Sequence, residues 1–374
     1  MTITQRFPTS SNAEMRFEYR PYRRSFRRSL QTSHGVWTVR EGIILRLTDD
    51  HGCVGFGEIA PLSWFGSETF EEAIKFCQQL PDGIYGETIA AIPAHLSACQ
   101  FGFESAWETL QPFSNEHTTL ANSVSPLSPP ALGDFDSCSP QTWGARGAKT
   151  AVTTDLKSES ELTYSALLPT GFAALDSWQD LWSHGYRTFK WKIGVTDIED
   201  EIQRFEQLAD ELPAKAFLRL DANAGLTVSQ AEMWLQHCDS LNNPDRPTLE
   251  FLEQPLAVGQ FDQMQELSQK HSTPIALDES VATLDQLRDC YQKGWRGIFV
   301  IKPAIVGSPS QLRKFCQETA IDAVFSSVFE TAIGQQAGLR LAAELSLKNR
   351  AVGYGTAHWF DELMEEGERL WQRL

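Results

Sequence analysis

From residue 163 to the C-terminus, short apolar runs alternate with longer amphipathic runs, and this alternation constrains the fold of the 374-residue chain more than any other feature. Apolar runs rich in β-branched and aromatic residues predict strands. Eight are predicted, at residues 164–168, 189–194, 217–223, 249–255, 275–279, 298–303, 323–330 and 351–356. Helices are predicted between them, at 197–212, 228–238, 260–270, 284–293, 310–318 and 333–345.

Strands that alternate with helices are typical of a parallel sheet, and eight such units predict a closed (β/α)8-type barrel over residues 163–374. The alternative is a doubly wound open sheet. That alternative is disfavoured because no GxGxxG or GxxxxGK motif follows the first strand.

Residues 1–110 predict a smaller α+β domain. Strands are predicted at 42–47 and 53–58 around a turn at 49–52, and a helix begins near residues 67–69. Residues 111–162 are rich in Ser, Thr, Pro and Gly and predict an insertion or linker. A phosphorylated or partner-binding segment is the alternative for this stretch.

The composition excludes several classes of function. The formal net charge is −17, which argues against binding to nucleic acids and to anionic membranes. Seven scattered cysteines form no CxxC pair, which argues against a disulfide framework or a zinc ribbon. Residues 1–24 lack the apolar core of a signal peptide, and no apolar run is long enough to span a membrane. We therefore expect a soluble cytoplasmic protein.

Charged side chains stand at the ends of five consecutive predicted strands. In strand order they are Lys190 and Lys192, then Arg219, Asp221 and Asn223, then Glu253, then Asp278 and Glu279, then Lys302. Active sites of (β/α)8 barrels lie at the C-terminal ends of the strands. Because ionised groups inside a barrel are costly unless paired or bound to metal, these residues predict a functional site.

Three acids of this set, Asp221, Glu253 and Asp278, lie on adjacent strands. Converging carboxylates are the ligands that Mg²⁺ prefers, and the lack of a nearby His or Cys disfavours zinc. The alternative for each acid is a strand-end cap or an ion pair with a lysine.

Lys192 and Lys302 flank the strands that carry the acids and would face each other across a bound metal. A lysine that acts as a general base must have a lowered pKa, and the charge of Lys190 favours that change. The alternative is that the lysines only neutralise the acids.

Five short motifs, taken in their order along the chain, resemble those of the enolase superfamily and its muconate-lactonizing subgroup. They are Lys190-x-Lys192, Asp221-x-Asn223, Glu253-Gln254-Pro255, Asp278-Glu279-Ser280 and Lys302-Pro303. The stretch 55–62, with the sequence GFGEIAPL, is similar to the capping-domain signature of that subgroup. The Lys-Trp-Lys spacing and Arg219 two residues before Asp221 are similar to the o-succinylbenzoate synthase family.

The resemblance implies an N-terminal capping domain, Mg²⁺ (or Mn²⁺ as a substitute) on the three acids, and a small-molecule carboxylate substrate. It implies dehydration of 2-succinyl-6-hydroxy-2,4-cyclohexadiene-1-carboxylate, with Lys192 as the base, Lys302 stabilising the ene-diolate and Lys190 tuning Lys192. Supporting or substrate-binding roles are implied for Asn223, Arg219, Glu279, Ser326, Ser327, Gly353 and Gly355. Residues 34–40 are expected to form a mobile loop over the barrel.

Two alternatives to this activity stay open. Another enzyme of the superfamily, an N-acylamino-acid racemase or a cycloisomerase, would use the same lysines and metal. A non-catalytic barrel that acts as a scaffold or binding protein belongs to another class, and it predicts the loss of at least one ligand or lysine, although all are present. Both a monomer and a homo-oligomer are compatible with the sequence.

Overall fold

The structure, a computed structural model, describes residues 13–32, 35–110, 161–171, 173–240, 243–348, 350–356, 359–360 and 367–374. The predicted insertion at 111–162 lies outside the described residues apart from its last two positions.

The N-terminal domain is built on an antiparallel sheet of four strands with the order β3-β2-β1-β4. The strands are β1 (Met15–Thr32), β2 (Gly35–Thr48), β3 (Val54–Ile59) and β4 (Gly83–Ile84). β1 pairs with β2 along most of its length, and Leu30 lies opposite Trp37. Residues from Gly35 to Arg40 are therefore a strand, and the expectation of a loop there is wrong, because pairing with β1 satisfies this backbone.

Three helices, α1 (Phe70–Gln79), α2 (Gly86–Ala90) and α3 (Ser97–Leu110), complete this domain. α1 begins where predicted because Thr69 and Glu72 form a reciprocal capping box. α3 lies against β3 so closely that a Cβ on Gly57 would stand 2.0 Å from the carbonyl oxygen of Gly102. The GFGE sequence is thus required by packing, since only glycine permits this approach.

The C-terminal domain is a barrel of parallel strands. Seven form one sheet: β5 (Ser165–Leu167), β6 (Thr188–Lys192), β7 (Phe217–Asp221), β8 (Thr248–Glu253), β9 (Ile275–Leu277), β10 (Ile298–Ile301) and β11 (Asp322–Phe325). The eighth repeat is reduced to two bridges, in which Val352 pairs with Tyr164 and Gly353 with Ser326. These bridges join the two edges of the sheet, so the predicted (β/α)8-type barrel with an N-terminal α+β domain is confirmed.

Helices surround the barrel strands: α4 (Ala173–Ser183), α5 (Ile198–Glu211), α6 (Val228–Ser240), α7 (Phe261–Lys270), α8 (Leu284–Gln292), α9 (Pro303–Val306), α10 (Pro309–Thr319) and α11 (Ala332–Leu345). All six helices predicted from the sequence are present, with ends that differ by at most two residues. α4 and the single turn α9 are additional. Among the described helices, none combines the length and the apolar composition that crossing a membrane requires.

Two carboxylates of the N-terminal domain cap helices of the barrel. Buried Glu58 accepts hydrogen bonds from the backbone nitrogens of Thr331 and Gly334, each at 3.0 Å, at the start of α11. Glu104 accepts one from the nitrogen of Ser310 at 2.9 Å, at the start of α10. A carboxylate at a helix N-terminus accepts hydrogen bonds from the free N–H groups there, and its negative charge interacts favourably with the helix dipole. The two domains are thereby held in one relative position.

The last helix, α12 (Gly367–Arg373), packs against the N-terminal sheet. The guanidinium of Arg20 lies 4.4 Å from the ring centroid of Trp371, and Leu370 is buried with Tyr22 and Ile44. The end of the chain therefore contacts the N-terminal domain.

We predict that Glu58→Ala lowers the free energy of unfolding by about 3 kcal/mol, because it leaves buried N–H donors without an acceptor. Glu318→Ala, at an exposed position, should change it by less than about 0.5 kcal/mol. Equilibrium unfolding in urea measures both values. Equal free energies of unfolding for the two variants would show that Glu58 does not stabilise the contact between the domains.

Candidate active site

The lysines and acids predicted from the strand ends meet at one rim of the barrel. The parallel register places Lys192 opposite Asp221 and Asp221 opposite Glu253, on three neighbouring strands. Asp278 directly follows β9 and Lys302 directly follows β10. The sheet order puts the two lysines on either side of the acids, as the sequence predicts.

Ion pairs connect these side chains. The ammonium of Lys190 lies 2.7 Å from Oδ2 of Asp221 and 2.8 Å from Oε1 of Glu253, so one cation bridges two carboxylates. Lys302 forms an ion pair with Asp278. Among the described residues, Lys192 differs from both other lysines because its ammonium makes no ion pair or hydrogen bond, although it lines the same cavity. The three lysines therefore have different environments.

Burial and mutual repulsion shift the pKa values of the acids. Burial, then the charge of Asp221, raises the pKa of Glu253 to about 8. Burial raises that of Asp278 to about 6 against the opposing effect of Lys302, and burial with Asp221 raises that of Glu279 to about 7. These shifts favour the protonated, neutral forms of the three acids.

The pKa values of Lys190 and of its ion-pair partner Asp221 shift in the directions that favour the ionised forms of both groups. Burial alone would raise the pKa of Asp221, but Lys190 overrides it and holds the pKa below its ordinary value. Burial alone would lower the pKa of Lys190, but Asp221 and Glu253 raise it well above its ordinary value. Lys190 is therefore charged and unsuited to accept a proton.

Gln254 fixes the backbone that presents the acids. It has a positive φ of 35°, and its side-chain oxygen accepts hydrogen bonds from the nitrogens of Asp278 (2.9 Å) and Ser280 (3.2 Å). Its side-chain nitrogen donates to the Ser280 hydroxyl at 2.8 Å. Asn223, also at positive φ, donates to Glu279 at 3.4 Å. Strained backbone supported in this way is common at functional sites.

The oxygen donors of Asp221, Glu253, Asp278, Glu279 and Asn223 are the groups at this rim that could hold a cation. One oxygen of Glu279 is inaccessible to solvent and has no hydrogen-bond partner in the part of the chain that the structure describes. Within the described part of the chain, no three His, Cys, Asp or Glu side chains are spaced as a metal-ligand set. The ammonium groups of the ion pairs lie against the carboxylates instead, so the metal site stays a prediction.

A cavity of about 240 Å³ opens at this rim, between the two domains. Its polar side comprises Lys190, Lys192, Asp221, Asn223, Asp278, Glu279 and Lys302. Its apolar side comprises Leu30, Trp37, Leu62, Trp64, Phe65, Val328, Phe329 and Trp359. A smaller cavity of about 170 Å³ lies at the opposite end of the strands, near Asp322, away from these groups. The larger cavity is the candidate active site.

Four further predicted residues, Ser326, Ser327, Gly353 and Gly355, line the same cavity. The Ser327 hydroxyl donates to buried Glu330 at 3.0 Å and accepts from the nitrogen of Phe329 at 2.9 Å. A Cβ on Gly353 would stand 2.6 Å from Oγ of Ser326, so glycine is required beside this hydroxyl. The Ser327 hydroxyl, which also contacts that of Thr356 at 3.4 Å, is therefore engaged within the protein, whereas the Ser326 hydroxyl has no hydrogen-bond partner among the described residues.

Arg219 is placed elsewhere. It is buried inside the barrel, donates to Glu250 at 2.6 Å and to the carbonyl of Ala351 at 2.8 Å, and does not line the cavity. Of the two predicted roles, direct substrate binding does not fit this position, and the supporting role stays a prediction. Arg219 is two positions before Asp221, so both point inward, but Arg219 lies about 6.6 Å deeper along the strand.

The aromatic residues on the apolar side of the cavity were not predicted from the sequence. Trp37 and Trp64 make an edge-to-face contact at 4.9 Å between ring centroids, and Trp37 contacts Phe329 at 5.5 Å. Phe329 has a φ of 65°, a left-handed conformation that is unusual for a large side chain. The only signal was the pair Trp64-Phe65, which follows the GFGEIAPL stretch after one residue, Ser63.

Comparisons with known proteins agree with this architecture. Residues 173–369 match the family model described as "Enolase C-terminal domain-like", and residues 22–110 match "MenC, N-terminal domain". The o-succinylbenzoate synthase of Thermosynechococcus vestitus is 36% identical over 368 residues, which cover 96% of this chain and 99% of that protein. The chain belongs to the o-succinylbenzoate synthase family. The predicted membership of the enolase superfamily is thereby confirmed.

Other members and relatives extend the comparison. The Mycobacterium tuberculosis o-succinylbenzoate synthase is 32% identical over 184 residues, covering 49% of this chain and 53% of that protein. The crystal structure of the family member from Thermosynechococcus elongatus BP-1, complexed with Mg in the active site, superposes with a TM-score of 0.78 at 35% identity and covers 96% of this chain and all of the other. The Bacillus subtilis L-Ala-D/L-Glu epimerase shares the fold, with a TM-score of 0.68 at 18% identity over 93% of this chain and 91% of the other.

We predict that the protein without divalent ions becomes less stable between about pH 5 and pH 8. Glu253 has a pKa of about 8 when folded and near 4.5 when unfolded. The folded state therefore binds more protons within that window, and its stability falls as the pH rises through it. Glu253→Gln should flatten the slope, and exposed Glu206→Gln should not. Thermal unfolding midpoints in EDTA measure this effect, and a midpoint that rises with pH would contradict it.

Proposed function

We propose that this protein catalyses the syn dehydration of 2-succinyl-6-hydroxy-2,4-cyclohexadiene-1-carboxylate to 2-succinylbenzoate, a step of menaquinone or phylloquinone synthesis. The observation that carries the proposal is the pair Lys192 and Lys302 on opposite sides of a carboxylate rim, in a chain 36% identical to an o-succinylbenzoate synthase over nearly its whole length. Loss of water leaves an aromatic ring, which supplies much of the driving force.

Mg²⁺ is the cofactor that we propose, held by Asp221, Glu253 and Asp278, with Mn²⁺ as a substitute. The donors fit such an ion because all are hard oxygens, and because one buried oxygen of Glu279 beside them has no hydrogen-bond partner among the described residues. The related structure from Thermosynechococcus elongatus has Mg in its active site. When bound, the ion supplies positive charge beside the substrate carboxylate, which lowers the cost of removing the adjacent proton.

Lys192 is the proposed base. It is the lysine of the cavity whose ammonium has no ion-pair or hydrogen-bond partner among the described residues. The neutral amine would take the proton next to the ring carboxylate. The resulting ammonium would then return that proton to the departing hydroxyl on the same face, so that water leaves and the amine is regenerated.

Lys302 and Lys190 have electrostatic roles in this proposal. Lys302, from the other side of the cavity, would stabilise the negative charge that develops on the substrate when the proton leaves. Lys190 holds Asp221 and Glu253 next to each other through its two ion pairs. Asn223 and Glu279 support the acids from the neighbouring loops.

The succinyl carboxylate would bind at the seventh and eighth strand ends. The Ser326 hydroxyl has no hydrogen-bond partner among the described residues, and Gly353 leaves room beside it, while Gly355 lines the same cavity. Ser327 would shape this end through its bond to Glu330 instead of contacting the carboxylate directly.

Racemisation of an N-acylamino acid is the second candidate activity. Two lysines on opposite faces can remove a proton from one side and return it to the other, and the fold is shared with the Bacillus subtilis epimerase. Incubation of one enzyme preparation with the cyclohexadiene substrate and with N-succinylamino acids decides between them. Aromatic product at a rate far above the uncatalysed rate supports the dehydratase, and racemisation alone refutes it.

A cytoplasmic location is proposed together with this activity. The six cysteines within the described ranges are free thiols, as expected in a reducing compartment.

Lys192→Ala should lower kcat for dehydration by about 10³-fold or more, because the base is lost. Lys215→Ala, at an exposed position remote from the rim, is the matched control and should retain full activity. Product absorbance measures the rates, and circular dichroism verifies that both variants fold. Substantial residual activity in the first variant would refute the assignment of the base.

Asp221→Asn should weaken Mg²⁺ binding by about 100-fold, because a charged oxygen ligand becomes neutral. Asp245→Asn, at an exposed position, should bind as the parent protein does. Isothermal titration calorimetry with MgCl₂ measures both affinities in the absence of substrate. Unchanged affinity in Asp221→Asn would remove Asp221 from the ligand set.

A further inference from the structure

An aromatic side chain of the N-terminal domain contacts a lysine of the barrel. The ammonium of Lys302 lies 3.9 Å from the ring centroid of Phe65, which is within the range of a cation–π interaction. The other partner of this ammonium is the carboxylate of Asp278. Lys302 is mostly buried, so the ring acts on it with little screening by water.

The turn that carries Phe65 is held by hydrogen bonds within its own domain. Residues Ser63–Phe65 form one turn of 3-10 helix, and the nitrogen of Phe65 donates to the carbonyl of Leu62 at 2.9 Å. The nitrogen of Leu62 donates to the Ser67 hydroxyl at 2.7 Å. Buried Arg40 donates to the carbonyl of Pro61 at 2.8 Å. The position of the ring is therefore set by the fold of the N-terminal domain.

The same turn docks on the barrel next to the acid rim. Gly66 has a φ of 122°, and a Cβ there would stand 3.2 Å from Cβ of Ala282, which follows the Asp278-Glu279-Ser280 segment. A larger residue at position 66 would be strained and would push the turn away from the barrel. This contact and the ring over Lys302 are separate observations that place the turn against the same site.

We infer that Phe65 is a positioning residue for Lys302. The negative face of the ring attracts the ammonium from the side not occupied by Asp278, and the two contacts together restrict the rotamers of the long side chain. Lys302 thereby points into the cavity, where the proposed function requires its charge. This inference rests on that proposed function for its catalytic consequence, but not for the contact itself.

The inference predicts an effect on turnover. Phe65→Leu keeps an apolar side chain but removes the ring, so kcat should fall by about tenfold. KM should change by less than about twofold, because a misplaced Lys302 weakens the interaction made in the transition state. Phe65→Tyr should restore most of the rate. Phe217→Leu, the same exchange at an exposed ring where β7 begins, is the matched control and should behave as the parent.

A series of fluorinated phenylalanines at position 65 separates the electrostatic effect from packing. Each added fluorine weakens the negative ring face with little change in shape, so log kcat should decline stepwise from phenylalanine to pentafluorophenylalanine. A flat series, or Phe65→Leu with the kcat of the parent, would overturn the inference.

A measurement without substrate tests the contact when dehydration itself is not observed. In protein labelled with [¹³Cε]lysine, the ε-methylene protons of Lys302 should be shifted upfield by the ring current, with assignment by Lys302→Arg. The shift should vanish in Phe65→Leu and persist in Phe217→Leu. An unshifted signal in the parent overturns the inference. If the parent protein shows the shifted Lys302 signal but forms no aromatic product, the proposed function is overturned and the contact is supported.

Discussion

The electrostatic cost of gathering carboxylates at one buried rim of the barrel governs the arrangement of the site. Asp221, Glu253, Asp278 and Glu279 cannot all be ionised there without compensating positive charge. Part of the compensation comes from the ammonium groups of the ion pairs, and the remainder matches a divalent cation. Burial raises the pKa values of Glu253, Asp278 and Glu279, and the charges of neighbouring acids raise them further.

Buried carboxylates also hold the two domains together. Glu58 and Glu104 are carboxylates of the N-terminal domain, and each accepts hydrogen bonds from backbone nitrogens at the start of a barrel helix. The first turn of α11 is also where the loop that carries Phe329 ends. Fastening the domains at this point therefore fixes both aromatic sides of the cavity, from the N-terminal sheet and from the barrel.

Much of this could be predicted from the sequence because strand geometry is local. Alternation along a strand gives Lys190 and Lys192 the same face, and the repeat of strand and helix gives the acids adjacent places on one rim. The depth of a side chain inside the barrel is not local. Arg219 has the same spacing from Asp221 as a pocket residue would have, but its partner Glu250 lies on the next strand, one layer deeper.

The apolar side of the cavity could not be predicted from the sequence for a similar reason. Trp37, Trp64 and Phe329 come from three distant segments, and no periodicity connects them. Trp37 was assigned to a loop because its strand is recognised only through pairing with β1. The left-handed backbone at Gln254 is supported by tertiary hydrogen bonds to Asp278 and Ser280, and that at Phe329 by side-chain hydrogen bonds within its own loop.

The convergence of three acids on one cation is tested most directly by diffraction from crystals grown with Mn²⁺, recorded near the manganese absorption edge. The account predicts a single anomalous peak about 2.1 Å from a carboxylate oxygen of each of Asp221, Glu253 and Asp278, with Lys190 displaced from at least one of them. A peak bound elsewhere, or a rim in which the lysine ion pairs persist at saturating Mn²⁺, would contradict it.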